Sequence, residues 1–313
     1  MLLLGLDGGG TKTDVVLANE RGEVIARAVG GAASLTGQEE KQAFEHIEQT
    51  LLQALQSVGG LSAPVDALFA GISGGGLEQN RAKFRAFFEH ALPNLKRLSN
   101  ASDCVCALSA AVGTGDGVIA IAGTGSSVFA RVKGEMHQVG GWGYLLGDEG
   151  SGFDLGRRAL TAALKCLDGR ARKTILLQMC EEKAQSSLRD LIARLYASDS
   201  KRLIADYAPI LLKAAECNDP TALLELTQST GEMAHAIDTA AAFIDEKRVA
   251  VGGSLWKNVL YTTMVQKQTH SPCDWIVQQN RPVCGAVYEA AQLAGITVDS
   301  AFRNRLENAL HYS

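Results

Sequence analysis

A chain of 313 residues, of which 46% are hydrophobic and 20% charged, is long enough for about two globular domains, each with a core of its own. The formal net charge of -4 provides no basic surface for nucleic acid, so a bound nucleotide would depend on local hydrogen-bond donors. The opening run Leu2–Leu4 is too short for a signal peptide or a membrane span, and seven scattered cysteines fit a reducing compartment, so we expect a cytoplasmic protein without membrane or nucleic-acid partners.

The first feature along the chain is a glycine-rich turn between two apolar segments that are typical of strands. It runs from Asp7 through three glycines to Thr11, Lys12 and Thr13, and a predicted hairpin follows it to Ala28. Glycines permit positive φ and let backbone N–H groups approach a ligand, and the hydroxyl and ammonium groups add donors, so the turn suits phosphate. A P-loop is excluded because Thr11 precedes Lys12 and a strand follows, and the same hairpin excludes a dinucleotide-binding turn.

Helices and strands alternate in the next segment. Helical spacing of apolar residues indicates helices there, and short apolar runs that end in glycine indicate buried strands. The predicted elements are a helix Gln38–Ser57, a strand Val65–Ile72, a helix Gln79–Leu92, a short strand Leu95–Leu98 and a helix that ends at Val112.

The pattern of the N-terminus then repeats. A strand Val118–Ala122 leads into the turn Gly123–Ser126, and two further strands end near Gly140. An internal repeat of this kind predicts two similar β-units that face each other across a cleft. The domain boundaries that we predict are 1–115 and 116–298, with a C-terminal helix of about 299–313 packed back on the first domain.

The remainder of the chain is mostly helical, with two further strands. The predicted helices are Gly152–Leu167, Thr174–Lys183, Ser187–Tyr196, Ser200–Cys217, Pro220–Ile244, one from about Leu255, Arg281–Leu293 and Asp299–Leu310, and the strands are Arg248–Val251 and Trp275–Val277. The close pair Cys104 and Cys106 has neither zinc-site nor redox spacing, so we interpret both as small buried residues of a helix.

Three glycine-rich turns of this chain resemble a known set of motifs. Asp7–Thr13, Ala122–Ser126 and Val251–Ser254 are similar, in order and interval, to the two phosphate motifs and the adenosine motif of the superfamily of actin, heat-shock proteins and sugar kinases. Gly140–Ser151 is similar to a signature of N-acetylglucosamine kinases in the BadF/BadG/BcrA/BcrD ATPase family. The ROK branch of sugar kinases is disfavoured, because its cysteine-rich zinc motif is absent from the sequence.

The resemblance implies an α/β fold of two ribonuclease-H-like domains, the actin-like ATPase fold, with nucleotide and sugar in the cleft between them. It also implies ATP and Mg²⁺ as cofactors and a homodimer as the assembly. Asp7 would hold Mg²⁺ through water, although an aspartate that closes its own turn is the plainer alternative. The nucleotide-binding residues implied are Gly9, Gly10, Thr11, Lys12, Gly123, Thr124, Gly125, Ser126, Ala208, Gly252, Gly253, Ser254 and Asn258.

Asp103 is the expected general base. It lies at the head of a small-residue helix and matches the position at which sugar kinases place the aspartate that receives the proton of the sugar hydroxyl. The alternative role is that of a helix N-cap, which Asn100 or Ser102 could fill instead.

The sugar contacts are implied by the same resemblance. The residues are Ser34, Asp103, Gly141, Trp142, Gly143 and Asp148. Trp142 would line the pocket and Asp148 would accept hydrogen bonds from sugar hydroxyls, the alternatives being a core position for Trp142 and a capped helix start at Asp148 and Glu149. In the loop Ser34–Thr36, Ser34 stands where relatives often have an asparagine, which leaves the exact sugar and the N-acetyl preference open.

The function that we expect is ATP-dependent phosphorylation of an amino sugar at its 6-hydroxyl, with N-acetylglucosamine as the first choice. Glucosamine and N-acetylmuramic acid are alternative substrates. A dehydratase-activator ATPase of the same family would need a defined pair of cysteines for an iron–sulfur cluster, and the scattered cysteines do not obviously supply one. A sugar-sensing binding protein is a third interpretation, disfavoured by the intact Asp7 and Asp103.

Overall fold

The computed structural model describes residues 1–35, 39–197 and 200–311. The chain divides into two compact units, Met1–Gly115 together with the chain from Ile276 onward, and Asp116–Trp275. Residues 276–298 therefore lie in the first unit, whereas the boundaries predicted from the sequence placed them in the second domain. The reason is a close backbone approach, because a Cβ on Gly5 would lie only 2.6 Å from the backbone nitrogen of Val287.

The described residues form strands and helices that alternate along much of the chain. The strands are β1 (Leu2–Gly8), β2 (Thr13–Asn19), β3 (Val24–Gly30), β4 (Ala67–Ile72), β5 (Leu98–Ala101), β6 (Gly117–Ala122), β7 (Ser126–Val132), β8 (Glu135–Val139), β9 (Arg248–Gly252) and β10 (Asp274–Val277). The helices are α1 (Glu40–Leu55), α2 (Glu78–Ala91), α3 (Asp103–Val112), α4 (Gly152–Leu167), α5 (Ile175–Ala184), α6 (Leu188–Tyr196), α7 (Ser200–Ala205), α8 (Ala208–Glu216), α9 (Pro220–Ala241), α10 (Val259–Gln268), α11 (Pro282–Leu293) and α12 (Ser300–His311).

The first unit is built on a five-stranded mixed sheet with the order β3-β2-β1-β4-β5. β1, β2 and β3 pair antiparallel, whereas β4 and β5 run parallel to β1. Leu3, Leu4 and Leu6 of β1 have no exposed surface, and such a continuous apolar run is typical of a central strand that is covered on both faces. The carboxyl ends of β1, β4 and β5 meet at one edge of the sheet, and the segments that follow them supply the candidate site.

The second unit repeats this arrangement with the order β10-β9-β6-β7-β8. β6 is its central strand, antiparallel to β7 and parallel to β9, and β8 extends the antiparallel side. Helices α4, α8 and α9 pack in the core of this unit together with α5 and α10. The two matching sheets confirm the internal repeat and the ribonuclease-H-like α/β fold that the sequence predicted.

Several predicted elements have different bounds in the structure. The strand expected at Leu95–Leu98 lies at Leu98–Ala101, as β5. It begins later than expected because its parallel pairing with β4 begins at Leu68 and Leu98. The helix expected over Ser200–Cys217 is divided into α7 and α8, and Pro209, which lacks a backbone N–H and suits a first helical turn, lies at the start of α8.

The helix expected from Leu255 is preceded by a short 3₁₀ turn, and α10 begins only after Asn258, whose side chain caps it. The start of the first long helix was expected at Gln38, which lies outside the described residues together with Thr36 and Gly37. Cys104 and Cys106 are buried in α3, which confirms their predicted place. Among the described helices, none is long and apolar enough to cross a membrane.

Candidate functional site

The first glycine turn joins β1 to β2 in the first unit. Its backbone is closed by a hydrogen bond from the Gly9 amide to the Lys12 carbonyl, 2.9 Å long. Thr11 and Lys12 are exposed, and a Cβ on Gly10 would meet nothing within 4 Å. No glycine of this turn has a left-handed backbone, so the positive φ expected from the sequence is absent. The glycines instead leave the peptide groups of the turn accessible to a ligand.

Three hydrogen bonds fix the turn to its surroundings. The Thr13 hydroxyl donates to the Gly31 carbonyl at 2.7 Å, so Thr13 is used inside the fold rather than offered to a ligand. The carbonyl of Gly9 accepts from the amide of Ala33 at 3.1 Å, and the carbonyl of Gly8 accepts from the segment after β4 at 2.8 Å. The turn is therefore held by the main chain on both sides, which keeps its exposed side preorganised.

Asp7 and Asp103 come together at the carboxyl edge of the first sheet. Asp7 is paired with Gly71 of β4, and a Cβ on Gly71 would lie 3.4 Å from the Cα of Asp103. Ser102, not Asp103, is the N-cap of α3, since its hydroxyl oxygen accepts from the Cys104 amide at 3.4 Å. The same hydroxyl donates to Asp103 Oδ1 at 3.1 Å and so orients the carboxylate. The capping role that competed with catalysis is thus filled by the neighbouring serine.

The two carboxyl groups are electrostatically coupled. Burial is the largest cause that raises the pKa of Asp7, the negative charges of Asp103 and Asp14 add to it, and the Lys12 ammonium opposes them, so that the pKa is about 7. Burial also raises the pKa of Asp103, although hydrogen bonds from Ser102 and from backbone amides work against it. Both groups are poised closer to neutral pH than an exposed aspartate, as is common for carboxylates at functional sites.

Ser34 is buried in the loop between β3 and α1. This loop packs tightly on the helix, because a Cβ on Gly31 would lie 2.6 Å from the ring of His46. The same imidazole is hydrogen-bonded through Nδ1 to the Ala32 carbonyl, 2.8 Å away. The position of Ser34 is therefore set by α1, while Thr36, predicted in the same sugar loop, lies outside the described residues.

The second glycine turn joins β6 to β7 in the second unit. The Gly123 amide donates to the Gly125 carbonyl at 2.9 Å. The carbonyls of Gly123 and Thr124 accept from the first two amides of α4, those of Gly152 and Phe153, at 2.7 and 3.0 Å. These bonds face the turn's carbonyls toward the helix. Thr124 is exposed, and the turn, like its counterpart in the first unit, is closed by a backbone hydrogen bond.

The predicted adenosine motif lies beside this turn. Gly253 has a φ of +104°, and a Cβ there would lie 2.3 Å from the Ala122 carbonyl oxygen, so only glycine fits. The Ser254 hydroxyl lies 4.0 Å from the point where a Cβ on Gly123 would stand. The structure thus brings two of the three predicted nucleotide motifs together within one unit.

Two other residues predicted to contact the nucleotide, Asn258 and Ala208, make contacts within the protein. Asn258 accepts from the Tyr261 amide at 2.9 Å as the N-cap of α10, and its amide group donates to Glu216 at 3.3 Å. Ala208 is 4% exposed at the start of α8 and packs beside Gly156 of α4. Contact of either residue with a nucleotide stays a prediction.

The loop Gly140–Ser151 has an unusual backbone. Gly140, Gly141, Gly143 and Asp148 all have positive φ. Trp142 is 66% exposed, so the core position weighed for it is wrong. Gly141 and Trp142 border a cavity of about 320 Å³ that is also lined by residues of β7 and α9, by Val139 of β8 and by Glu149 of the same loop.

Asp148 lies against the second glycine turn. Its Oδ2 is 2.7 Å from the point where a Cβ on Gly125 would stand and 3.2 Å from Lys201 Nζ. The neighbouring carbonyl of Glu149 accepts from the Ser126 hydroxyl at 2.7 Å. Ser151, rather than Asp148 or Glu149, caps α4, so the capping alternative for these acids is wrong. Lys201 was missed because nothing in its local sequence marks it.

A second group of side chains that the sequence analysis missed anchors the same loop. Asp154 Oδ2 accepts from the Ser229 hydroxyl at 2.6 Å, from Arg158 Nε at 3.0 Å and from the Gly150 amide at 3.3 Å. The Tyr261 hydroxyl donates to the Gly150 carbonyl at 2.7 Å. These contacts join α4, α9 and α10 behind the loop, and only the tertiary fold brings them together.

Comparison with known proteins gives a consistent result. The BadF/BadG/BcrA/BcrD ATPase family model matches residues 4–290. The chain is 29% identical over 218 residues to the N-acetylmuramic acid/N-acetylglucosamine kinase of Clostridium acetobutylicum, with 68% of this chain and 70% of the relative covered. It is 28% identical to the glucosamine kinase GspK of Vibrio cholerae, with 97% and 99% covered.

A solved structure from Chromobacterium violaceum, described as that of an N-acetylglucosamine kinase, superposes with a TM-score of 0.69 at 31% identity. The match covers 94% of this chain and 98% of that one. The chain belongs to the BadF/BadG/BcrA/BcrD ATPase family.

Proposed function

We propose that this protein is an ATP-dependent amino-sugar kinase that phosphorylates the 6-hydroxyl of its substrate, with N-acetylglucosamine as the preferred sugar. The observation that carries the proposal is the Asp103 carboxylate, placed beside Asp7 at the carboxyl edge of the first sheet while Ser102 takes over the helix cap. Membership of an ATPase family and the names of the relatives support the same reaction.

The proposed chemistry needs little more than positioning. Phosphoryl transfer has a loose transition state, so catalysis depends on holding the acceptor hydroxyl in line and on stabilising charge. Asp103 would accept the hydroxyl proton as general base, and its Ser102 hydrogen bond fixes the oxygen that does so. The glycine turns at Gly9–Lys12 and Gly123–Ser126 would bind phosphate oxygens through peptide N–H groups and hydroxyls.

The residues of the first unit fit a magnesium ion. Asp7 supplies a carboxylate that is repelled by the charges of Asp103 and Asp14, and a divalent cation would relieve that repulsion. In the described part of the chain, no group of three or more His, Cys, Asp or Glu side chains is arranged to hold a metal. Asp7 would therefore hold Mg²⁺ with water and nucleotide oxygens as the other ligands, which suits an ion that keeps its water. When bound, the ion would neutralise phosphate charge.

The choice of sugar rests on the relatives and on two side chains. The relatives are named for N-acetylmuramic acid, N-acetylglucosamine and glucosamine, so an amino sugar is common to them. Trp142 is exposed and available for a sugar face, and Ser34 would contact the sugar from a loop fixed by α1. Glucosamine and N-acetylmuramic acid are the alternative substrates.

The test is a coupled assay of ADP release with N-acetylglucosamine, glucosamine, N-acetylmuramic acid and glucose at equal concentration. We expect the highest kcat/KM with N-acetylglucosamine and little turnover with glucose. The product's phosphate position is then read from its carbon–phosphorus couplings by NMR. If no sugar stimulates ADP formation, the proposal is wrong; if glucosamine is preferred, the reaction stands and the choice of sugar is corrected.

A further inference from the structure

Lys201 lies beside the second glycine turn, although it is distant from that turn in the sequence. Its Nζ is 3.2 Å from Asp148 Oδ2 and 3.4 Å from the point where a Cβ on Gly125 would stand. The ring of Tyr144 lies 5.4 Å from the same nitrogen, within the range of a cation–π contact. The ammonium group is thus held next to the backbone of the turn.

The packing of the second unit brings helix α7 and its lysine to this place. A Cβ on Gly156 of α4 would lie 1.9 Å from the Ile204 carbonyl, so a larger residue would push α7 away. Tyr144 packs edge-on against Phe153, with ring centroids 5.1 Å apart, and the Phe153 amide donates to the turn itself. Lys201, Tyr144 and the second glycine turn are therefore linked by direct packing contacts.

The charges at the second turn indicate a role for Lys201. The first turn carries its own cation, Lys12, whereas Gly123–Ser126 contains none. The charge placed closest to Gly125 is the carboxylate of Asp148, which is buried and negative. Polyphosphate would be repelled by that carboxylate unless a cation neutralised it. Lys201 is the cation that the structure supplies.

We propose that Lys201 binds a phosphate group of the nucleotide at the second turn and that Asp148 positions its ammonium for that contact. The inference rests on the proposed ATP-dependent function and adds a ligand to it. An ammonium has three donor hydrogens, so a bond to Asp148 leaves others for phosphate oxygens. The lysine side chain is 34% exposed, which leaves it accessible while the buried carboxylate restricts its position.

The test measures nucleotide affinity and does not require turnover. Displacement of a fluorescent ATP analogue gives the Kd of AMPPNP and of adenosine for the wild type, Lys201→Met, Lys201→Arg and a control, Lys213→Met, which changes an exposed lysine of α8. We expect Lys201→Met to weaken AMPPNP binding about tenfold, as for the loss of one charge-assisted hydrogen bond. Adenosine, which has no phosphate, should bind all four proteins alike, and Lys201→Arg should recover part of the affinity.

A double variant separates phosphate binding from mere neutralisation of Asp148. If Lys201 only cancels that charge, Lys201→Met combined with Asp148→Asn should bind AMPPNP as tightly as the wild type, which would overturn the proposal. If Lys201 contacts phosphate, the double variant stays weak. Equal AMPPNP affinity of Lys201→Met and the wild type, or no nucleotide binding by the wild type, would also overturn it. Wild-type protein that binds AMPPNP but phosphorylates no sugar contradicts the proposed function alone.

Discussion

The Cα of Asp103, the proposed general base, lies 3.4 Å from the point where a Cβ on Gly71 would stand. Gly71 pairs with Asp7 in the sheet, so the backbone at Asp103 lies close to the strand beside Asp7. The same Cβ would lie 2.2 Å from the Cys106 sulfur. The absence of one side chain therefore brings α3 against β4 and sets the separation of the two aspartates.

Gly71→Ala should destabilise the first unit and lower turnover together. The added methyl overlaps the Cys106 sulfur and must displace α3, and overpacking of this kind costs about 1–3 kcal/mol. Gly76→Ala is the matched control, because its Cβ would make only an ordinary 3.6 Å contact with the Ser102 Cβ. Urea unfolding and sugar-dependent ADP release measure both effects. An unchanged unfolding midpoint in Gly71→Ala would contradict the close packing described above.

Asp103→Asn should lose catalysis while it keeps nucleotide binding. The amide matches the carboxylate in size and hydrogen-bonds to Ser102, but it cannot accept a proton, so we expect kcat to fall by about 10²–10⁴-fold. The Kd of AMPPNP should change little. Ser102→Ala is informative beside it, since loss of the cap should cost about 1 kcal/mol of stability with a much smaller loss of kcat. Turnover within a factor of about two of wild type in Asp103→Asn would contradict the role of general base.

Asp154→Asn should destabilise the second unit in a pH-dependent manner. Burial alone would raise the pKa of Asp154, but the Ser229 hydrogen bond and the Arg158 charge outweigh it and lower the pKa below its usual value. The ionised group therefore stabilises the fold above the pKa of the unfolded chain, about 3.9, and that stabilisation is lost as the pH falls below it. We expect a loss of about 3 kcal/mol at pH 7 that shrinks in acid.

Urea unfolding at pH 7 and near pH 3.5 checks this difference. The control is Asp168→Asn, which removes a surface carboxylate paired with Arg170 and should have little effect at either pH. A loss of stability in Asp154→Asn that is the same at both pH values would show that the carboxylate acts through packing and not through its charge.

Trp142→Ala should weaken sugar binding without changing the stability of the fold. The indole is 66% exposed, so little packing is lost, whereas a sugar ring would lose an apolar face. We expect KM for the sugar to rise about tenfold, with an unchanged AMPPNP Kd and a small change in the unfolding midpoint. Tyr196→Ala, at a side chain that is 90% exposed, is the control. Equal KM for the sugar in Trp142→Ala and wild type would remove Trp142 from the sugar site.

Features that depend on local patterns could be predicted from the sequence. The Asp7 turn and its repeat at Gly123 follow from apolar runs and glycine positions, the ribonuclease-H-like fold of each unit was implied by the family resemblance, and the structure confirms the repeated fold. Element boundaries were less predictable where tertiary pairing decides them. β5 begins at Leu98 because β4 fixes its register, and Asn258 caps a helix whose start the periodicity placed too early.

The remaining parts of the candidate site depend on contacts between distant segments. Lys201 contacts Asp148 in the loop before α4, and Asp154 contacts Ser229 on α9, so no local motif could mark either residue. Nothing in the sequence distinguishes Gly71 from the other glycines. The structure shows that the absence of a side chain at Gly71 allows α3 to pack against β4. The positive φ expected at the first turn was absent, because that hairpin closes with ordinary backbone geometry.

The first unit is assembled from both ends of the chain, and this has a consequence for biosynthesis. A Cβ on Gly5 would lie 2.6 Å from the Val287 nitrogen, so the central strand is completed only when α11 packs on it. The second unit, Asp116–Trp275, is continuous in sequence. During synthesis from the N-terminus, the continuous unit can therefore fold while β1–β5 still expose an apolar face, and nascent chains should be most prone to aggregation in that interval.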